Sequence, residues 1–405
     1  MKEKISQTLK QVSLSLHQSE IQAIRKKNIT KTGYRVIRDG KIGIAGAIGQ
    51  ADEAAMFEQA EKNLAYGIDY DVIPSENLVS KTVIEDCDVT AASMVKGVKY
   101  VLKELKSMHP DFSVSHKVNL STVELSLQND RGLDLLHRDK TLQVGFLLRQ
   151  QGSSDILNTA FSVVSRQFEP ERVLEASSGM IKAYIETASM PKDPYIIMDG
   201  RSLTDIFARH LNGSNMGTGA SLFNGKIGYK LFSEDFSLSI DRDPYENFTC
   251  LFDSEGVMVD EDTAVLIKNG AIQRPYTDKR TAKKYNFMPT GSAGGSYDSV
   301  PSLSAPSMLP SVSDKTLKEL LDGRYGILVV MASGGDFTPD GIFASPVQLS
   351  YLTDGERLLG RLPEFTLKAS IYDIFGKDYR GFSKDKFYMM GNEHMIVTKM
   401  DIELL

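Results

Sequence analysis

Cysteine, closely spaced histidine and long apolar runs are scarce in this sequence. Its 405 residues hold two cysteines, Cys87 and Cys250, far apart and in no C-x-x-C pair. That excludes a disulfide framework and leaves two free thiols of the kind a reducing compartment keeps. The six histidines, His17, His109, His116, His137, His210 and His394, show no H-x-x-x-H or H-x-x-H spacing, so no helix offers two imidazoles to one zinc ion. No apolar run approaches the roughly 20 residues of a membrane span. The opening MKEKISQTLKQVSLSL is too interrupted for a signal-peptide core, so a cytoplasmic protein with no membrane partner is expected. A net charge of −6 lacks the excess of basic residues that a broad nucleic-acid face needs. The glycine-rich Gly213 to Gly219 has no Lys-Ser/Thr of a phosphate loop and reads as loop near a cleft mouth.

What is present is ordinary globular material, 41% hydrophobic and 25% charged, long enough for two or three domains. Ile5, Leu9, Val12 and Leu16 fit the spacing of an amphipathic opening helix. Glu20 to Lys27, then Gly33 to Arg38, and Lys41 to Ile48 after the turn Asp39-Gly40 read as an antiparallel meander. Helices are expected over Ala54 to Ala65 and Thr90 to Met108, the second ending before His109-Pro110. Val118 to Gln128, the turn Asn129 to Gly132, Leu133 to Leu136 and Thr141 to Arg149 read as strands, with helical patterns over Ala160 to Val164 and Pro170 to Thr187. Met190-Pro191-Lys192-Asp193-Pro194 cannot continue either kind of element. It sets the expected boundary between an N-terminal domain, 1–190, and a C-terminal domain, 191–405. Beyond it come a strand, Tyr195 to Met198, and a helix through His210 with Ser202 as its cap. Short strands follow between glycine-rich turns, among them Lys226 to Tyr229. The fold class is therefore α+β: an N-terminal domain of antiparallel sheet and long helices, and a mostly β, barrel-like C-terminal domain.

The most informative stretch is 251–295. Asp253-Ser254-Glu255-Gly256 makes a glycine-closed turn, Thr263 to Ile267 a strand, and Asn269-Gly270 a hairpin turn whose two central positions need positive φ. Asp278 to Lys284 makes a short helix, and Gly291 to Pro310 a long loop. Its order, D-x-E-G, strand, N-G, strand, D-K-x-T-A, T-G-x-x-G, resembles the C-terminal half of the TldD/PmbA family, the so-called modulators of DNA gyrase. Gly33-Tyr34-Arg35-Val36-Ile37-Arg38-Asp39-Gly40-Lys41-Ile42-Gly43-Ile44-Ala45 is similar to the family's N-terminal pattern.

The resemblance implies a zinc peptidase fold in which an H-E-x-x-x-H helix and a late cysteine hold the metal and the glutamate serves as base. In this chain the matching positions carry Thr204, Asp205, Arg209 and Tyr379. His210 lies one residue off, about 100° around a helix. That set is a poor zinc site, so no metal is expected in this chain. The resemblance is to the PmbA/TldE branch, which implies a metal-free subunit that pairs with a TldD-type partner carrying zinc, or with itself, and acts on extended, unfolded peptides or peptide precursors. The alternatives are a stand-alone diverged peptidase, with Asp205 and His210 as the working pair, and a non-enzymatic peptide-binding or assembly factor. Gly334 and Gly335, between Ser333 and Asp336, read as a backbone feature where a peptide strand could be added, and with His210 they form the candidate substrate contacts. Asp336 and Asp340 as catalytic carboxylates are the weaker reading. The cluster Lys279, Arg280, Lys283, Lys284 reads as a solvated helix face, and no nucleic-acid partner is expected.

Overall fold

The structure is a computed structural model. It describes residues 1–259, 263–333 and 336–404, with the side chains at 201–205 and 336 outside the described set. The first sheet is mostly antiparallel, with four very long strands and β4 alone pairing in parallel, on β6: β1 (Lys2–His17), β2 (Glu20–Arg38), β3 (Lys41–Ile48), β4 (Leu78–Val83), β5 (Phe112–Asn129), β6 (Leu133–Gln150) and β7 (Thr159–Ser165). Their order is β3-β2-β1-β5-β6-β4, with β7 also on β6.

The expected opening helix is strand β1. The helical spacing of Ile5, Leu9, Val12 and Leu16 is real, but Leu14 and Leu16 also alternate at period two and both are buried. Hydroxyl pairs across the strands, Ser6 with Thr32 at 3.1 Å and Thr8 with Thr30 at 2.9 Å, add to pairing along the whole strand, and this outweighs a weak helical pattern. Ala160 to Val164 is likewise part of β7. Phe161 and Val163 point into the core, and five residues are too few to separate the two periods.

Helix α1 (Glu53–Lys62) covers β2 and β3, while α2 (Ala91–Met108) and α3 (Pro170–Ile185) pack on the other end of the sheet. Thr90 caps α2 in a full capping box with Ser93, which satisfies two otherwise free backbone donors.

The second half begins with β8 (Tyr195–Asp199), α4 (Gly200–His210), α5 (Gly213–Thr218), β9 (Leu238–Asp241), α6 (Pro244–Asn247), β10 (Thr263–Lys268), β11 (Ala271–Ile272) and α7 (Lys279–Tyr285). It continues with β12 (Ala293–Gly294), β13 (Ser302–Leu303), β14 (Met308–Pro310), α8 (Leu317–Leu321), β15 (Gly326–Ala332), β16 (Asp336–Phe337), β17 (Ile342–Thr353), β18 (Leu358–Arg361), β19 (Phe365–Ser370), α9 (Ile371–Ile374), β20 (Gly381–Phe387), β21 (Glu393–Thr398) and β22 (Asp401–Leu404).

The expected barrel is not closed. The large sheet runs β20-β21-β8-β15-β17-β19-β22, with β16 and β18 also on β17, and its two ends do not pair. Instead, β20 is lined by the chain after β14, with Ser313 N–H on the Phe382 carbonyl at 2.9 Å and Lys384 N–H on the Lys315 carbonyl at 2.7 Å. A smaller sheet, β11-β10-β9-β14, packs beside it. The expected loop at Gly213 to Gly219 is helix α5, capped by the Asn212 side chain and ended by Gly219 at φ 82°. The expected strand at Lys226 to Tyr229 is a run of turns, with Gly225 and Gly228 at positive φ.

The strands of the first sheet all precede Met190 and those of the nine-stranded sheet all follow it. The core under α2 and α3 nevertheless includes Leu349 and Tyr351 of β17, and the Tyr351 hydroxyl meets that of Thr159 at 2.8 Å. Among the described residues no helix is long and apolar enough to cross a membrane.

Candidate functional site

Helix α4 follows directly from β8, a buried strand held between β15 and β21. At the junction Gly200 leaves no room for a side chain, since a Cβ there would lie 2.7 Å from the Phe382 ring. The inner face of α4 presents Ile206, Phe207 and His210 to the core. Phe207 sits among Phe223, Phe232, Phe236 and Phe375, at ring separations of 5.0 to 6.1 Å. Stacked pairs, with Phe223 and Phe236, and edge-on pairs, with Phe232 and Phe375, add to the stabilisation that burial alone supplies.

The side chains of Thr204 and Asp205 lie outside the described residues, as do Gly334 and Gly335 altogether. Arg209 is exposed, and its carbonyl accepts the Asn215 side-chain amide at 2.8 Å. His210 turns the opposite way. It is 2% exposed, its Nδ1 accepts the Leu222 N–H at 3.1 Å, and its ring packs on Phe223 at 5.8 Å. An accepting Nδ1 requires the neutral ring, and burial, with Arg209 nearby, lowers the pKa in the same direction. Its expected contact with substrate is therefore corrected: a side chain sealed in the core has no face for a peptide.

Tyr379 closes the same aromatic nest, 5.3 Å from Phe236 and 6.4 Å from Phe375. Its buried hydroxyl has no partner among the described residues, and burial pushes its pKa upward. These groups do not fit a metal. His210 is engaged with a backbone amide, Arg209 is a cation, and among the described residues no group of three or more His, Cys, Asp or Glu is placed to hold a metal ion. Asp340 is exposed and takes the Thr338 hydroxyl, which holds its carboxyl below the usual range.

Beside the start of α4 is a cleft of about 450 Å³, bounded by the end of β7, α6, β9, the chain after β14, and β20–β21. Its link to α4 is direct: His394, on its wall, precedes Met395, which pairs with Asp199, the residue before α4. His394 gives its Nδ1–H to the Ser383 carbonyl at 2.8 Å. Burial, with Lys386 adding to it, lowers its pKa. Lys386 pairs with Glu246 at 2.7 Å across one end of the cleft, and this lowers the Glu246 pKa. Arg166, anchored by two bonds to buried Asp139 of β6 at 2.9 and 2.7 Å, fixes the α6 wall by donating to the Tyr245 and Pro244 carbonyls at 2.7 and 2.5 Å, and its guanidinium lies 4.5 Å from the Phe248 ring. No sequence motif pointed to Glu246, Lys386 or His394; the fold alone gathers them.

The D-x-E-G signature has a different role. Asp253 accepts the amides of Glu255, Val257 and Ala293, each at 2.9 Å. Glu255 accepts the Tyr70 hydroxyl at 2.8 Å and the Lys279 amide at 2.9 Å. Buried Arg35 bridges Glu3, at 2.9 Å, and the Ser254 carbonyl, at 2.7 Å. The signature thus fastens the turn to the first sheet and to α7. The expected solvated face on α7 holds for Lys283 and Lys284, which are exposed, but not for Lys279 and Arg280, which are half-buried. Lys279 is partly buried against Ser75, Lys283 pairs with Asp71, and Arg280 lies 5.6 Å from the Tyr70 ring.

The profile of the PmbA/TldA metallopeptidase C-terminal domain matches residues 197–403, just over half of the chain. The chain belongs to the TldD/PmbA family. An uncharacterised protein of Methanocaldococcus jannaschii is 21% identical over 366 residues, covering 84% of this chain and 82% of its own. A protein of Methanothermobacter thermautotrophicus named a metalloprotease is 27% identical over 181 residues, covering 42% of this chain and 39% of its own. The crystal structure of TldE from Thermococcus kodakarensis superposes with a TM-score of 0.81 at 19% identity, over 100% of this chain and 96% of that one. At that identity the likeness speaks for the fold, an α+β architecture with open sheets.

Proposed function

We propose that this TldD/PmbA-family chain is the PmbA/TldE-like subunit of a zinc metallopeptidase complex that acts on unfolded peptides or peptide precursors in the cytoplasm. It pairs with a TldD-type chain that carries the zinc, and it helps to hold the peptide without coordinating metal itself. The observation that carries the reading is the donor set at the positions matching the family's metal motif: Thr204, Asp205, Arg209 and Tyr379. One of these is an exposed cation, and another is a phenol enclosed by Phe236 and Phe375. The cleft beside α4, with hydroxyl, charged and aromatic groups on its walls, supports the peptide-holding part. The likeness to TldE supports the choice of branch.

The test is elemental analysis of the purified chain, together with cleavage of an unstructured peptide by the chain alone and mixed with a TldD-type protein. The expected outcome is no zinc, no cleavage alone, and cleavage in the mixture above that of the TldD-type protein alone. About one zinc per chain with solo cleavage would replace this reading with that of a complete peptidase.

A further inference from the structure

The outer edge of β2 is uncovered over part of its length. β1 pairs with β2 along the whole strand, but β3 pairs only with Lys31 to Arg38. One more bond, Gly49 N–H to the Thr30 carbonyl at 2.8 Å, closes that ladder before the chain turns into α1. Among the described residues nothing pairs with the outer edge from Ala23 to Ile29, about 23 Å of strand at 3.3 Å per residue. The register is regular there, with its one irregularity opposite Ser15 and Leu16 at the hairpin end, and the segment contains no proline. Neither a bulge nor a proline, two common ways of blunting an edge, is present.

The charge of this edge opposes that of the molecule. Arg25 and Lys27 stand on one face, Lys26 and its near neighbour Lys10 on the other, all exposed, in a chain of net charge −6. None of the four has an ion-pair partner among the described residues. Ile24 is 53% exposed, next to fully buried Leu14 on β1. It offers an apolar foothold that continues the core row outward.

We propose that this edge docks an acidic, extended segment of another polypeptide as an added strand. The ladder bonds supply affinity, and carboxylates on both faces of the incoming strand meet the basic side chains. A second copy of the same edge is disfavoured, because a two-fold pairing centred on Lys26 would set Arg25 against Lys27, and like charges directly opposite destabilise a sheet. A nucleic acid is disfavoured because residues 20–31 contain no aromatic side chain on which a base could stack. A strand-shaped row of unpaired amides and carbonyls is best satisfied by another backbone.

The test uses the full chain and fluorescence anisotropy with a labelled ten-residue peptide alternating glutamate and valine. Comparison ligands are the same peptide N-methylated at alternate residues, its lysine counterpart, and a short DNA duplex. The glutamate peptide is expected to bind at least about tenfold more tightly than the N-methylated and lysine versions. The triple variant R25E/K26E/K27E is expected to lose the glutamate peptide and gain the lysine one. The comparison with the N-methylated peptide uses the unaltered protein, so it decides the matter even if the variant folds poorly. Any of four results overturns the proposal: no peptide binding, which leaves the lysines as guards of the edge; equal binding of the N-methylated peptide; tighter binding of the duplex; or dimerisation that R25E/K26E/K27E abolishes.

Discussion

The turn around Asp253 and the region around α4 and Tyr379 use their buried polar groups differently. Around Asp253 and Glu255 both carboxylates accept hydrogen bonds, and several of their partners lie far away in sequence: Tyr70, Lys279 and Ala293 directly, with Arg35 and Glu3 one step further, the Arg35 Nε alone of this set being buried without a partner among the described residues. Around α4 and Tyr379 the polar groups do not converge on one another. His210 bonds to a backbone amide, Arg209 faces solvent, and the Tyr379 hydroxyl is buried without a partner among the described residues. The contrast separates two reasons for a residue to be present. The turn holds distant parts of the chain together, and the buried side of the helix region packs into the aromatic core.

The largest effect that would break this contrast is expected at Asp253. Replacing it with alanine strands three backbone N–H groups in a buried turn, and each such loss costs about 1 to 3 kcal/mol. Asp253→Ala is therefore expected to lower stability by about 4 kcal/mol, while Arg209→Ala on the exposed side of α4 stays within about 0.5 kcal/mol. Denaturant midpoints of the two variants decide it. Equal effects would mean that the turn is not the fastening it resembles.

How legible this was in the sequence depends on the range of the interactions. Local chemistry read well. Asp39-Gly40 and Asn269-Gly270 are turns with positive φ at both residues, and the helices expected from Thr90 and Asp278 begin one residue later with those residues as their caps, whereas Ser202, expected to cap, lies inside α4. Long-range pairing did not. β1 looked helical because the partners of Ile5 to Leu16, Gly33 to Ile21 on β2 and Leu127 to His116 on β5, are invisible in a local window. The aromatic nest escaped for the same reason, since Phe207, Phe236 and Phe375 come from three separate segments. The D-x-E-G signature was found, but nothing in its spacing told that Tyr70 and Arg35 would bind it.

A smaller effect should appear with pH. Burial, with Asp253 close by, pushes the Glu255 pKa from its ordinary 4.5 to about 7, against the pull of the two donors on its oxygens. A raised folded-state pKa means that the native protein holds a proton which the unfolded chain has released. Stability from this group is full below about pH 4.5 and is lost as pH rises through about 7, a change of about 3 kcal/mol. Glu255→Gln should flatten that slope, because an amide can still accept from the Lys279 N–H and donate to the Tyr70 oxygen. Melts of both proteins between pH 4.5 and 8 test this. An unchanged slope in the variant would assign the effect to another group.

The smallest expected effect is the sharpest test of the α4 side. The Tyr379 ring is packed between Phe236 and Phe375, but its hydroxyl is buried without a hydrogen bond among the described residues. A buried, unbonded hydroxyl is a penalty carried by the native state. Tyr379→Phe keeps the ring and removes the penalty, so stability should hold steady or rise by up to about 1 kcal/mol. A clear loss instead would mean that the hydroxyl has a partner worth keeping. Tyr379 would then serve a polar purpose as the turn residues do, and the contrast between the two regions would weaken.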